Sequence, residues 1–413
     1  MPNAGSLFME MQDAVTTHDA SKWNDPATLT RLSDERSAIE SAVASGRNAY
    51  GFTSLLGPLD DIDASDGYQA QLLADHLIGV PQEIDKRAGD WITATKLQQL
   101  SLGGSGITPK TFMSVSDSFA MGEIRYEIDL DASYSSADVV PASWWVRSVL
   151  GSPCHLGGDG DLIALMNGDF VSAGMLAYAT ERLLDEACVL FACLRHADMM
   201  AFPQTRGQEL LATAMGLLHA KNDHPQKSVL HRDCMPIVSG IATEIARAIV
   251  VYENAATRRS GNPLFLRDDD GTVLPVSQSS FLDFSIASAV SGLSHATCLS
   301  ARLAQKAIAS TCDRMEDGDR TPQWVQYPKV SLGYCIAIEG HQANAMQLTG
   351  FESGGVEDLW DTGLITTCVL LGQLHILDKE TQLLSECFGM AGNKIVPIPQ
   401  RQLETLCLAD CLQ

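Results

Sequence analysis

The chain has 413 residues and a formal net charge of −23, with 51 Asp and Glu against 28 Lys and Arg. A surface that negative repels phosphate backbones and anionic bilayers, which excludes nucleic acid and the membrane surface as electrostatic partners. Hydrophobic residues make up 45% but aromatic residues only 6%, so the core is built from Ala, Leu, Ile, Val and Met, a mix that suits packed helices.

Along the chain, residues 1–45 are polar with helical stretches. Leu29, Leu32, Ile39 and Val43 form a stripe that Gly46 stops. The N-terminus lacks the basic and apolar regions of a signal peptide. Residues 46–66 read as a loop around "YGFTSLLGPLDD", which begins at Tyr50. Residues 67–102 return to helical spacing and end in "WITATKLQQLSL". Gly103, Gly104, Gly106 and Pro109 then break the pattern. Residues 110–173 are mixed and loop-rich.

From Gly174 the pattern becomes strongly helical. Leu176, Leu183, Ala187, Leu190 and Leu194 recur at helical intervals, as do Ile241, Ile245, Ile249 and Tyr252. Residues 284–310 and 363–389 are two further long segments, the first rich in small residues that let helices approach closely. No run reaches the roughly 20 apolar residues of a membrane span. The fold predicted is all-α: a loop-rich active-site part over 1–173, then a central bundle of long helices over 174–413.

The chain has 11 Cys and no Cys-x-x-Cys pair, which predicts buried free thiols in a reducing, cytoplasmic setting. Cys407 and Cys411 are spaced to share a helix face, but no His pair accompanies them, so no metal is expected. His155, His219, His224 and His231 show no ligand spacing either. "SLGGSGITP" lacks the Lys-Ser/Thr ending of a P-loop and reads as a tight turn. "RDDDG" at 267–271 lacks the spaced ligands of a calcium loop and reads as a solvated turn. Asn167-Gly168 follows an apolar run: it is a turn signal, or an amide presented at a cavity to a carboxylate or carbonyl. Glu339 ends another apolar run, where a carboxylate is either paired or raised in pKa to act as acid or base. Gly261 and Pro263 in "RRSGNPLF" mark a helix end.

Taken in order, these segments resemble the family of histidine and aromatic amino-acid ammonia-lyases and aminomutases. "YGFTSLLG" is similar to the family's "YGVNTGFG", "LIALMNG" to "GLALINGT", and "CIAIEG" to "ALVSEN". "LQQLSLGGSGITP", the stretch from "HRDCMP" to "SGNPLF", and "GFESGGVEDLWDTG" match further family segments, so the likeness spans residues 45–365. It implies a mostly helical subunit, a homotetramer, and active sites shared between three chains. It also implies roles: Tyr50 as the base on a closing loop, Asn167 beside the prosthetic group, and Glu339 in the amine-binding region. Counting back from Pro236 puts Asp233, next to Arg232, where the family has its carboxylate-binding arginine. Gly104 and Trp144 complete the expected substrate-contacting set.

One departure bears on mechanism. The family builds an electrophilic methylidene-imidazolone from an internal Ala-Ser-Gly, and residues 139–168 contain no such triplet. Counting forward from Pro141 puts Ser148-Val149-Leu150 there, which cannot dehydrate and cyclise, and Trp144 and Trp145 add bulk. No cofactor is therefore expected. Three readings follow: a lyase-type enzyme for an easier substrate, with Tyr50 as base and Asn167 as hydrogen-bond donor; a non-catalytic small-molecule-binding protein on the same scaffold; or a different reaction using His155, His231 or Asp233.

Overall fold

A computed structural model describes residues 6–55, 63, 68–133, 138–151, 156–219, 228–315, 321–348 and 362–411. The chain begins with helices α1 (Ser6–Thr17), α2 (Pro26–Ala44) and α3 (Tyr68–His76). Short strands β1 (Gln82–Glu83) and β2 (Glu127–Ile128) pair antiparallel around α4 (Lys86–Ser101) and α5 (Pro109–Met121). Then come α6 (Val139–Leu150), α7 (Asp161–Met166) and α8 (Phe170–Leu194). Residues 110–173 therefore hold all of α6 and α7, nearly all of α5 and the start of α8 between their loops.

The second half is built the same way. Parallel strands β3 (Met200–Ala201) and β4 (Leu218–His219) flank α9 (Arg206–Met215), and α10 (Val229–Arg232) leads into α11 (Met235–Ala256). A hairpin of β5 (Leu264–Arg267) and β6 (Val273–Val276) precedes α12 (Phe284–Asp313), α13 (Pro322–Leu348), α14 (Gly363–Met390) and α15 (Gln400–Cys411). The predicted "RDDDG" turn is the tip of that hairpin, where Asp268 accepts from the amides of Asp270 and Thr272.

The boundaries follow local chemistry. Asp25 caps α2 by accepting from the amides of Ala27 and Thr28, Pro26 opens it, and Gly46 at φ +91° ends it. Thr108 caps α5 ahead of Pro109, and Gly122 closes it in the left-handed region.

Helices α8, α11, α12, α13 and α14 pack side by side as the predicted bundle. The inner face of α12 is lined by Ala289, Ala296, Ser300, Ala301, Ala304 and Ala307, all buried, which lets its neighbours close in. α4 lies across α8 with almost no gap: a Cβ on Gly174 would come within 2.6 Å of the Ile92 Cα. Contrary to the expectation from apolar runs, α8 (within residues 161–197) and α11 are long and apolar enough to cross a membrane by length and composition. The apolar window of α8 is wholly buried against other helices, as in the core helix of a bundle. Cys188, Cys193, Cys234, Cys298, Cys312, Cys335, Cys387 and Cys407 are buried, Cys368 is partly buried, and none of them is in a disulfide among the described residues.

Candidate functional site

Four chain segments meet around the Asn167 turn. The first is the glycine turn after α4. Gly103, Gly104 and Gly106 all have positive φ, which suits glycine and strains other residues. The Gly104 amide donates to Glu35 Oε1 at 2.6 Å, and its carbonyl accepts from the Phe265 amide at 2.8 Å, so the turn docks α2 on one side and β5 on the other.

The second segment carries Tyr50. Tyr50 is half-buried and bridges to Ser54. Phe52, two residues on, stacks edge-to-face on Phe265 with ring centres 4.9 Å apart. A Cβ on Gly106 would meet both rings, at 2.8 and 2.9 Å, so the Tyr50 loop sits directly on the glycine turn.

The third segment is the break between α7 and α8. Asn167 is extended (φ −96°, ψ 139°) and Gly168 takes φ +132°, so the chain leaves one helix and enters the next within three residues. The fourth is Ser260–Pro263. Ser260 Oγ accepts from the Asp169 amide at 3.0 Å, and Ser105, Ile163, Ala164 and Ser260–Pro263 enclose a cavity of about 10 Å³. That space holds about one water molecule.

A charged network lies behind the cavity. The Lys96 amine is buried, donates to the Asn167 backbone oxygen at 2.8 Å, and sits 4.4 Å from the Phe170 ring centre. Burial pulls its pKa from 10.5 down to about 7, and the nearby Asp169 carboxylate opposes that pull. Gln99 donates to Asp169 Oδ1 at 2.7 Å, and Arg258 pairs with both Asp169 and Asp283. Asn167 is 8% exposed, and its side-chain oxygen has no hydrogen-bond partner among the described residues; neither has Gln99 Oε1. A buried carbonyl oxygen in that state is a ready acceptor for a ligand N–H or O–H.

The predicted site residues divide. Tyr50, Gly104 and Asn167 each lie on one of these segments; Phe52 and Phe265 join the Tyr50 loop to the glycine turn. Trp144 does not join them: it is half-buried and donates to the Ile78 carbonyl at 2.8 Å. Trp145 is fully buried, donates to Thr93 Oγ1 and packs edge-to-face on Phe170. Neither tryptophan lines the small cavity. Glu339 lies on α13, which packs on α12 and α14, and its half-buried carboxylate accepts from Arg302 Nε at 2.7 Å. Arg232 is exposed at the end of α10, and Asp233 accepts from the amides of Phe202 and Met235. Both stand ahead of α11, whereas Ser260 follows it; 22 helical residues separate those ends by about 33 Å. His155 and His224, and most of "GFESGGVEDLWDTG", fall outside the described residues. Lys96, Gln99, Asp169 and Arg258, behind the cavity, are the residues that motif spacing does not pick out.

Ser148, Val149 and Leu150 do not fit the prosthetic group. Ser148-Val149-Leu150 form the last turn of α6, with Ser148 Oγ donating to the Trp144 carbonyl and Val149 and Leu150 in the core. The end of α6 nearest Asn167 is the opposite one, where buried Asp138 is hydrogen-bonded by Ser172 in the first turn of α8. The residues ahead of Asp138, 134–137, read Tyr-Ser-Ser-Ala and lie outside the described residues. An Ala-Ser-Gly does occur at 44–46, but it is the exposed C-terminal stop of α2, with the Gly46 amide bonded to the Val43 carbonyl.

Known proteins share this architecture. Residues 9–153 match the family model described as aromatic amino acid lyase. The chain is 24% identical to histidine ammonia-lyase of Chloroflexus aurantiacus over 428 aligned positions, covering 89% of this chain and 80% of that one. Phenylalanine aminomutase of Pantoea agglomerans has the same fold, with a TM-score of 0.73 and 16% identity, covering 96% of this chain and 91% of that one. The ergothioneine-degrading enzyme ergothionase of Treponema denticola superposes with a TM-score of 0.72 at 13% identity, covering 96% of each chain. The chain therefore has an all-α, ammonia-lyase-like fold, and its first third matches the aromatic amino acid lyase model.

Proposed function

We propose that this protein is a lyase-type enzyme that works without the methylidene-imidazolone group, on a small amino-acid-like or carbonyl-bearing metabolite. The observation that carries this reading is the buried, unpartnered side-chain oxygen of Asn167 in the break between α7 and α8. In the reaction, the Tyr50 phenolate takes the β-proton. The electron pair of that C–H bond forms the Cα=Cβ bond, and the C–N bond breaks with its pair leaving on nitrogen. A quaternary ammonium leaves as a neutral tertiary amine, and an adjacent carbonyl acidifies the β-proton, so a base and hydrogen-bond partners suffice. The same equipment runs the reverse addition, an isomerisation or a cyclisation.

The working form is a homotetramer with shared sites. Glu339, Arg232 and Asp233 stand apart from Asn167 within one chain, which suits their delivery from neighbouring subunits. The outer face of α13 supports such packing: Val325, Leu332 and Ile336 are 52, 52 and 64% exposed. A second reading, a small-molecule-binding protein without turnover, is favoured by the small volume enclosed within one chain.

The test is turnover of trimethylammonium and β-carbonyl amino acids by the purified protein and by Tyr50→Phe. Turnover abolished in the variant supports the assigned base, and unchanged turnover removes it. No turnover, with saturable binding of those compounds, gives the second reading. Intact mass without the deficit of two water molecules, and insensitivity to borohydride, are the expected signs of a chain lacking the prosthetic group.

A further inference from the structure

On the other face of the Gly103–Gly104 turn lies an open pocket of about 890 Å³, between α2 and the β5–β6 hairpin. Its walls include Arg31, Arg259, Arg267, Glu35, Phe265 and Val273. The size is within the ~300–1,000 Å³ range of small-molecule sites.

The charge pattern sets this pocket apart. The chain holds only 28 Lys and Arg against 51 acids, yet three guanidinium groups converge here. Arg36, Arg87, Arg125, Arg206, Arg247, Arg258, Arg302 and Arg401 each pair with a carboxylate. The three pocket arginines form no ion pair among the described residues. Arg31 donates to the Ser101 carbonyl and to Thr28 Oγ1, Arg259 Nε to the Leu102 carbonyl at 3.3 Å, and Arg267 to the Gly271 carbonyl at 3.0 Å. Glu35 attracts Arg259 and Arg267 and Asp25 attracts Arg31, but the hydrogen bonds go to neutral oxygens and each guanidinium keeps donors to spare.

Two acids share the wall, Asp34 and Glu35. Glu35 is committed to the glycine turn, where the Gly104 amide donates to it at 2.6 Å. Burial also pushes its pKa above the ordinary 4.5, against the opposing pull of that amide and of Arg259 and Arg267. Phe265 and Val273 supply an apolar floor and are only 4 and 5% exposed. Guanidinium groups bind carboxylate and phosphate oxygens in pairs, and the floor suits a ring or alkyl chain.

We propose that this pocket binds a small organic anion, a carboxylate or phosphate ester on an apolar body, held by Arg31, Arg259 and Arg267. The inference is independent of the lyase reading. The Arg259 side chain lies against Gly104, whose added Cβ would be 3.0 Å from its Cδ, and the next residue, Ser105, lines the small cavity. A bound anion therefore sits one turn of backbone from the candidate site.

The experiment is calorimetric titration of the full chain with benzoate, phenyl phosphate and inorganic phosphate, with benzylamine as the cationic control. Saturable binding of benzoate or phenyl phosphate and none of benzylamine is expected. Inorganic phosphate binding as tightly as phenyl phosphate would overturn the apolar-body part. The double variant Arg259→Gln/Arg267→Gln should weaken binding at least tenfold, and Arg125→Gln, an exposed pair elsewhere, should not. Ala27→Trp, which fills the pocket from the first turn of α2 and spares the arginines, should also block binding. Absence of saturable anion binding, or binding unchanged by both the arginine variants and Ala27→Trp, overturns the proposal.

Discussion

The amine of Lys96 and the backbone oxygen of Asn167 are hydrogen-bonded at 2.8 Å, in an interior that solvent does not reach. The bond ties the middle of α4 to the break between α7 and α8. It holds the Asn167 backbone while the Asn167 side-chain oxygen stays unpartnered at the site. The turn is thereby fixed from behind, which is how a second layer of contacts preorganises a site.

That arrangement makes stability depend on pH in a definite direction. The Lys96 pKa is about 7 in the fold against an ordinary 10.5, so between those values the unfolded chain binds the extra proton. Stability then rises with pH across that window, by up to about 1.4 kcal/mol per unit from this group. Denaturant unfolding at pH 7, 8 and 9 should show a steeper rise for the native sequence than for Lys96→Met. Equal slopes would mean that the amine is not buried as described.

Glu181 predicts a rise of the same sign in an acidic window. It accepts from Gln12 at 2.8 Å, from Trp91 Nε1 at 2.7 Å and from Arg87, joining α1, α4 and α8. Burial pushes its carboxyl up, but the hydrogen bonds from Arg87, Trp91 and Gln12 outweigh burial and leave the pKa below 4.5. Its stabilisation is present above the unfolded value of 4.5 and is lost as pH falls through the lower folded value. Glu181→Gln should therefore cost about 2 kcal/mol at neutral pH, with the gap closing below pH 4.5. A gap that persists undiminished under acid would rule out the charge as its source.

How far such features can be read in advance depends on whether their partners are local. The long helices are legible because their stripes are local: Leu176 to Leu194 mark α8, and Ile241 to Tyr252 mark α11. Pro26, Gly46 and Thr108 mark ends for the same reason. Gly104 and Asn167 are legible as turn residues. Lys96 is not, because a lysine inside a helix reads as solvated, and its partner is a carbonyl 71 positions away. α6 is also missed. Pro141 and two tryptophans break the look of a helix, and Pro141 is tolerated only because it lies in the first turn. Ser148, seven positions after Pro141, stands in the last turn of α6 and not at its Asp138 end.

The adjacent tryptophans of α6 separate by role. Trp145 is wholly buried between Thr93 and Phe170, whereas Trp144 is half-buried with one bond to Ile78. Trp145→Ala should lower unfolding free energy by about 3–5 kcal/mol, and Trp144→Ala by roughly 1 kcal/mol. Comparable losses in the two variants, measured by denaturant unfolding, would contradict the helical register of α6.

Asp161 carries the heaviest local load. It is fully buried at the start of α7 and accepts from the Thr108 amide and hydroxyl, both at 2.7 Å, from Thr111 Oγ1, and from the amides of Gly157 and Gly158. Those donors belong to the glycine turn, the first turn of α5 and the approach to α7. One carboxylate therefore sets the spacing between the Gly103–Gly106 turn and the helix that ends at Asn167. Asp161→Ala strands several buried donors at once, and the expected loss is about 3–5 kcal/mol. Asp161→Asn keeps the shape but turns an acceptor into an NH2 group facing donors, so it should recover only part of that loss. Because the carboxylate holds two walls of the site, both variants should also weaken binding of any small molecule that stabilises the native protein against heat. Full stability in Asp161→Asn would show that shape, and not the acceptor count, is what positions the turn.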